Sequence, residues 1–308
     1  MTRVLITGAS GFAGLSLSGA LAESGMTVRA AARKPQTIPA RSGIEPVALP
    51  DLATPVEWGP LLTGMDAVIH LAGIAHAGGD IPDAAYDQVN RAATETLANA
   101  ATASGIKHFI FVSSIRAQSG PTSDKPLNEN DSAQPADAYG RSKLAAEDAV
   151  RKSGVPFTIL RPVVIYGPGV KANLESLIRF ADSPLPLPFG RFRNLRSLLA
   201  MENFVSAIRF LLEQSGPRNE TYVVADPAPV TFAEIILTLR AALGRPPRLL
   251  DIPPRLLTGA LTLAGKSSLA ERIGGTLVAD AHKLRMAGWK PVVDTRRGLA
   301  AMIQAASP

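Results

Sequence analysis

The chain has 308 residues, 46% of them hydrophobic and 19% charged, a length that can bury a substantial core and a composition unlike that of disordered chains. It contains no cysteine, which excludes disulfides, thiolate metal sites and cysteine nucleophiles; its four histidines (His70, His76, His108, His282) show no ligand spacing, so no metal is expected. The net charge of +6 comes from cations spread singly, with few aromatics to stack on bases. That argues against nucleic acid as a partner and leaves phosphorylated small molecules or an anionic surface.

In chain order, short apolar runs alternate with helical patterns. "RVLITG" reads as a strand beginning at Arg3, which leaves no room for a signal peptide and makes a cytoplasmic location the default. A helix to about Gly25 comes next, then strands in "TVRAAA", "IEPVAL" and "DAVIHLAG". A helix is expected from about Asp83 to Ser104, a strand in "HFIFVSS", a helix from about Asp137 to Ser153 and a strand in "FTILRP". Continuous apolar strands separated by helices predict a parallel sheet buried on both faces, that is, a doubly wound α/β domain. After Pro162 the connections turn rich in Pro and Gly ("YGPG", "SPLPLPFG", "GRPPRLLDIPP"). This predicts a smaller, interleaved substrate-binding region over 166–308, beside a dinucleotide-binding domain over 1–165 with returning segments near 196–228. The apolar stretch "LLTGALTLAG" at 256–265 is shorter than the roughly 20 residues of a spanning helix, and reads as a packed helix in preference to an interfacial anchor.

Three features carry chemistry. "TGASGFAG" places Gly8, Gly11 and Gly14, with Phe12 and Ala13 between them, in a turn from the first strand into a helix. Such a turn lets backbone approach a pyrophosphate and offers the free N–H groups of a helix N-terminus to its phosphates. "YGRSK" sets Tyr139 and Lys143 one helical turn apart, where an ammonium can lower the pKa of a phenol and make it a general acid or base. Ser114 ends the preceding strand, where parallel sheets place their sites.

Together these residues resemble the extended short-chain dehydrogenase/reductase family, in its nucleotide-sugar branch of epimerases, dehydratases and 4-ketoreductases. The likeness includes Asp51 and Leu52 in "PDLATP", "HLAG" with Leu71, Ala72 and Gly73, Asn90 in "VNRAATETL", and "LRPVVIYGPG" with Pro162. It implies a Rossmann-type fold and a triad in which Ser114 polarises an oxygen, Tyr139 moves the proton, and Lys143 holds the nicotinamide ribose and tunes the tyrosine. Ser113 is the structural neighbour. For the substrate, it implies contacts from Asn173 and Arg196 to the sugar-nucleotide pyrophosphate, from Leu187 and Phe189 to the base, and from Arg116 beside the triad. Dehydratases of the family carry an Asp-Glu pair where this chain has Ile115 and Arg116, which speaks against dehydration.

NAD-binding relatives place a carboxylate at the end of the second strand; here Ala32 stands there, followed by Arg33 and Lys34. Two cations in place of an acid favour the 2′-phosphate of NADP over NAD. The resulting expectation is an NADPH-dependent reductase of a UDP-linked 4-keto-6-deoxy sugar, serving surface polysaccharide, and a homodimer. A UDP-glucose 4-epimerase-like activity with retained NAD is the alternative, and a non-catalytic NADP-binding protein the third reading.

Overall fold

The computed structural model describes residues 2–74, 81–170, 173–214 and 218–305. Strands β1 (Arg3–Thr7), β2 (Thr27–Ala32), β3 (Ile44–Ala48), β4 (Ala67–His70), β5 (His108–Val112) and β6 (Phe157–Pro162) join Glu220–Val224 in one seven-stranded sheet. The order is Glu220–Val224, β6, β5, β4, β1, β2, β3, and every pairing from β6 to β3 is parallel. The order reverses beside β1, which is flanked by β4 and β2. Open α/β sheets hold their ligands at such a switch point, off the carboxyl ends of the strands. β4, β5 and β6 are buried at every position, as an apolar run without alternation demands of a strand covered on both faces.

The chain divides into two compact units. The first comprises Met1–Gly120, Asp131–Pro162 and Val205–Tyr222; the second Pro121–Asn130, Val163–Phe204 and Val223–Pro308. In the first unit Leu5, Val68, Phe109, Phe111 and Ile159 of the sheet pack with Leu97, Ala101, Ala146 and Val150 of the helices Ala93–Ala103 and Ala138–Lys152. In the second unit Val164–Tyr166 pairs with Leu198–Ala200, and Leu195–Arg196 with Val230–Thr231. Apolar clusters form in it around Tyr166, Leu239 and Met302 and around Phe189, Phe192 and Phe232.

The helical pattern from Asp83 to Ser104 is not one α-helix. It runs as an α-turn over Asp83–Tyr86, a π-helical segment over Asp87–Ala92, and an α-helix over Ala93–Ala103. One extra residue in the turn rotates the rest of the helix about its axis, and π-segments are frequent at functional sites.

Candidate active site

Gly8 follows β1 and has φ +73°, and a Cβ on it would lie 2.8 Å from the backbone nitrogen of Ala72. A Cβ on Gly14 would overlap the Gly8 carbonyl oxygen, so the first turn of the helix Phe12–Glu23 sits directly on the turn. Only glycine meets both conditions. The cap residue Gly11 contributes no side chain, so the helix N-terminus presents backbone. This cradle suits a pyrophosphate, and the residues present fit a dinucleotide. β2 ends at Ala32, opposite Ala48 of β3. Arg33 and Lys34 beyond it are exposed, and among the described residues neither side chain has a hydrogen-bond or ion-pair partner. Asp51 is exposed after β3 and accepts the Ala53 N–H at 3.0 Å, closing its own turn, while Leu52 is buried in the core.

Ser114 follows β5 with extended backbone, and its Oγ accepts the Arg116 N–H at 3.1 Å. Its hydroxyl acts on Tyr139, the second residue of the helix Ala138–Lys152, in the sense that lowers the phenol's pKa. That helix starts at Asp137, whose Oδ1 accepts the Gly140 N–H at 2.8 Å and whose Oδ2 accepts from Arg116 at 2.6 Å. A Cβ on Gly140 would overlap the Arg116 carbonyl oxygen, so the glycine of "YGRSK" lets the helix begin against the segment that carries Ser114. Burial pushes the Tyr139 phenol above its usual pKa, with Asp137 in the same sense and Ser114 and Arg116 opposing. Tyr139 is therefore a phenol, a proton donor, at neutral pH. Among the described residues the buried Arg116 Nε has no partner.

Lys143, one turn on, is buried. Its Nζ donates to the Val112 carbonyl at 2.9 Å and lies 4.7 Å above the Phe111 ring. Burial brings its pKa down to about 8, against a raising influence from Glu147. Ser113, in contrast to Ser114, donates to Glu147 Oε1 at 2.6 Å. Glu147 is fully buried, accepts Arg161 through both oxygens (2.9 and 2.7 Å), and accepts Arg151 at 2.9 Å.

Sequence reasoning passed over a second network beneath the turn. The Thr94 hydroxyl donates to the Asn90 carbonyl at 2.6 Å, so its oxygen accepts from His70 Nε2 at 2.9 Å. With that proton on Nε2, His70 Nδ1 accepts from the Thr7 hydroxyl at 2.6 Å, and the Thr7 oxygen accepts the Ala72 N–H at 3.3 Å. Every proton in this network has one direction. Burial, with the nearby Lys143 charge, lowers the His70 pKa to about 3, which keeps the ring neutral. Asn90 in the π-segment accepts the Ile74 N–H at 2.7 Å and donates to the Ile74 carbonyl and to Ser142, both at 3.0 Å. Asn90 thus fixes the segment after β4 at Ile74. A histidine closing an apolar strand ("VIHLAG") was the one available sign of this network.

The substrate candidates other than Arg116 lie in the second unit. Asn173 opens the helix Asn173–Ala181, and its side chain lies outside what the structure describes. Arg196 is half-buried and donates to the Pro121 and Gly275 carbonyls at 3.1 and 3.2 Å. Leu187 and Phe189 are buried in the cluster with Phe192 and Phe232, with the Phe189 ring edge-on to both at 5.1 Å. Pro162 is buried at the end of β6, and His76 falls outside the described residues.

The model of the NAD dependent epimerase/dehydratase family matches residues 4–225. The chain belongs to this family. As a member, it is an NAD(P)-dependent enzyme of the extended short-chain dehydrogenase type. This epimerase/dehydratase family chain is 34% identical to a UDP-glucose 4-epimerase of Vibrio cholerae, over 98% of its own length and 94% of the relative's. It is 30% identical to a ceramide reductase of Caulobacter vibrioides, over 94% and 86%. Its fold matches the UDP-glucuronic acid 4-epimerase of Bacillus cereus at TM-score 0.78 and 21% identity, covering 99% and 98% of the two chains.

Proposed function

We propose that this chain reduces the 4-keto group of a nucleotide sugar with NADPH. The observation that carries the reading is the end of β2, where Ala32 replaces a carboxylate and two cations without partners among the described residues, Arg33 and Lys34, come next. A ribose 2′-phosphate supplies the dianion those side chains lack, at about 1.5–3 kcal/mol per charge-assisted hydrogen bond.

When bound, the nicotinamide supplies hydride to the carbonyl carbon. Ser114 hydrogen-bonds the carbonyl oxygen and Tyr139 donates its proton to that oxygen as negative charge develops there. Lys143, one turn along the helix, stabilises the phenolate left behind. Asn173 and Arg196 are proposed to hold the pyrophosphate, Arg116 the sugar, and Leu187 and Phe189 to shape the base site from within their cluster. Such a reduction would consume one NADPH for each carbonyl, with the proton supplied by Tyr139.

A second reading, 4-epimerisation with retained NAD, is supported by the Vibrio cholerae relative and by the neighbour solved with NAD. Tyr139 would then act first as base and afterwards as acid on one oxygen. Two measurements separate the readings. Supplied with a UDP-linked 4-keto-6-deoxy sugar, a reductase oxidises NADPH stoichiometrically; interconversion of UDP-hexoses without net oxidation overturns the reduction. In calorimetric titration Arg33→Ala should weaken NADPH by about 10- to 100-fold and leave NADH unchanged, the loss of one such bond. Equal affinity of the wild type for both cofactors would remove the NADP assignment.

A further inference from the structure

We propose that the helical hairpin Pro254–Leu263 and Ser267–Gly274 docks this protein on an anionic lipid surface. Residues 252–270 contain no acid and two cations, Arg255 and Lys266, and the last turn of the hairpin adds Glu271 and Arg272, one of each sign. One side of the hairpin is committed: Leu257 and Ile273 pack against the cluster of Leu187, Phe189, Phe192, Phe232 and Ile236. The helix Pro254–Leu263 nevertheless has no buried residue. Its outer face carries Leu256, 66% exposed, and Leu263, 92% exposed, with exposed Ala260 between them. The spacing of four and then three residues lines them in one stripe along the helix.

Single exposed leucines are ordinary on protein surfaces. Here the stripe continues round the turn to exposed Leu269, and exposed Leu250 precedes the hairpin. A solvent-facing helix would place charged side chains on this face, and this one places leucine, alanine and threonine there. An apolar stripe alone could equally receive a second copy of the chain. Charge decides between the two. Arg248, Arg255 and Lys266 are exposed, and among the described residues their side chains have no hydrogen-bond or ion-pair partner. A second copy would bring the same unpaired cations against them. A layer of anionic headgroups satisfies both features, with the leucines at the acyl boundary and the cations at the phosphates. No helix among the described residues is long and apolar enough to cross a membrane, so the contact is interfacial.

Flotation of the full-length protein with phosphatidylcholine vesicles, with and without phosphatidylglycerol, tests this. The wild type should float with the anionic vesicles at least about tenfold more than with neutral ones, and less so as salt rises. L256E/L263E should abolish flotation while circular dichroism and NADPH affinity stay unchanged, since neither side chain is in the core. R255E/K266E should weaken it and flatten the salt dependence. Failure of the wild type to float, or flotation of L256E/L263E at the wild-type level, overturns the proposal. So does a wild-type dimer that L256E/L263E turns into a monomer without any vesicle binding, because a second copy then covers the stripe. None of these readouts depends on which ketone or sugar the enzyme uses.

Discussion

Tyr139 and Lys143 differ in what burial does to them. For the phenol, loss of water favours the neutral form; for the ammonium, it disfavours the charged form. Replacing Tyr139 by Phe removes the proposed proton donor and leaves the helix start untouched, so turnover should fall by about 10² to 10⁴-fold with cofactor affinity retained, as calorimetry and steady-state rates would show. Near wild-type turnover would exclude Tyr139 from the chemistry. Lys143 makes a prediction about stability. Its folded pKa of about 8 lies below the ordinary value of 10.5, so between those pH values the unfolded chain holds a proton that the folded one has lost. Stability then rises with pH across that window. Below pH 8 the buried ammonium costs on the order of 3 kcal/mol, at 1.36 kcal/mol per unit. Lys143→Met should therefore unfold in urea at higher concentration than the wild type at pH 7, and the difference should shrink towards pH 10.

Two elements meet through His70: β1 ends at Thr7 and the π-segment joins the next helix at Thr94, and the imidazole bridges their hydroxyls. His70 stays neutral down to about pH 3, whereas an unfolded histidine protonates near 6.5. The unfolded state gains a proton as pH falls through this window, so stability is lost on acidification. His70→Gln should show a smaller loss of urea stability between pH 7 and pH 4.5 than the wild type, from a lower starting value. An unchanged acid slope would mean that His70 is not buried in its neutral form. The helix Ala138–Lys152 depends on Glu147 in a different way. Glu147→Gln leaves Arg161 buried without its carboxylate, and breaking a buried pair from one side costs about 3–5 kcal/mol. The midpoint of thermal unfolding would report it. Because Ser113 donates to the same carboxylate, this pair anchors the strand end from which Ser114 projects.

At the scale of the whole molecule, the candidate residues separate by unit. The glycine turn, Arg33, Asn90, Ser114, Tyr139 and Lys143 belong to the first; Asn173, Leu187, Phe189 and Arg196 belong to the second. If the first unit binds the dinucleotide and the second the sugar nucleotide, each ligand should slow amide hydrogen exchange in its own unit. NADPH should protect residues 8–14 and 32–34. UDP should protect 185–196. Protection of 185–196 by NADPH alone would reverse the assignment.

The parallel doubly wound sheet was legible in the sequence because its strands are short, continuous and apolar, and a buried strand leaves that mark whatever surrounds it. The glycine turn and the Tyr-Lys pair were legible for a similar reason, since their chemistry lies within a few residues of chain. Tertiary structure alone decided the rest. Nothing in "YDQVNRA" announces a π-segment, because the extra residue is accommodated by contacts Asn90 makes with Ile74 and Ser142, far away in sequence. The directed chain through Thr7, His70 and Thr94 joins three distant segments, and local pattern carries no record of it. Phe189 is linked to the base by resemblance alone, and only the three-dimensional structure shows that it packs with Phe192 and Phe232. The stretch at 256–265 read as a packed helix, yet its leucines divide, with Leu257 inward and Leu256 and Leu263 outward. Hydrophobicity says that a residue prefers to leave water; which face finds a partner is decided by what the rest of the chain places beside it.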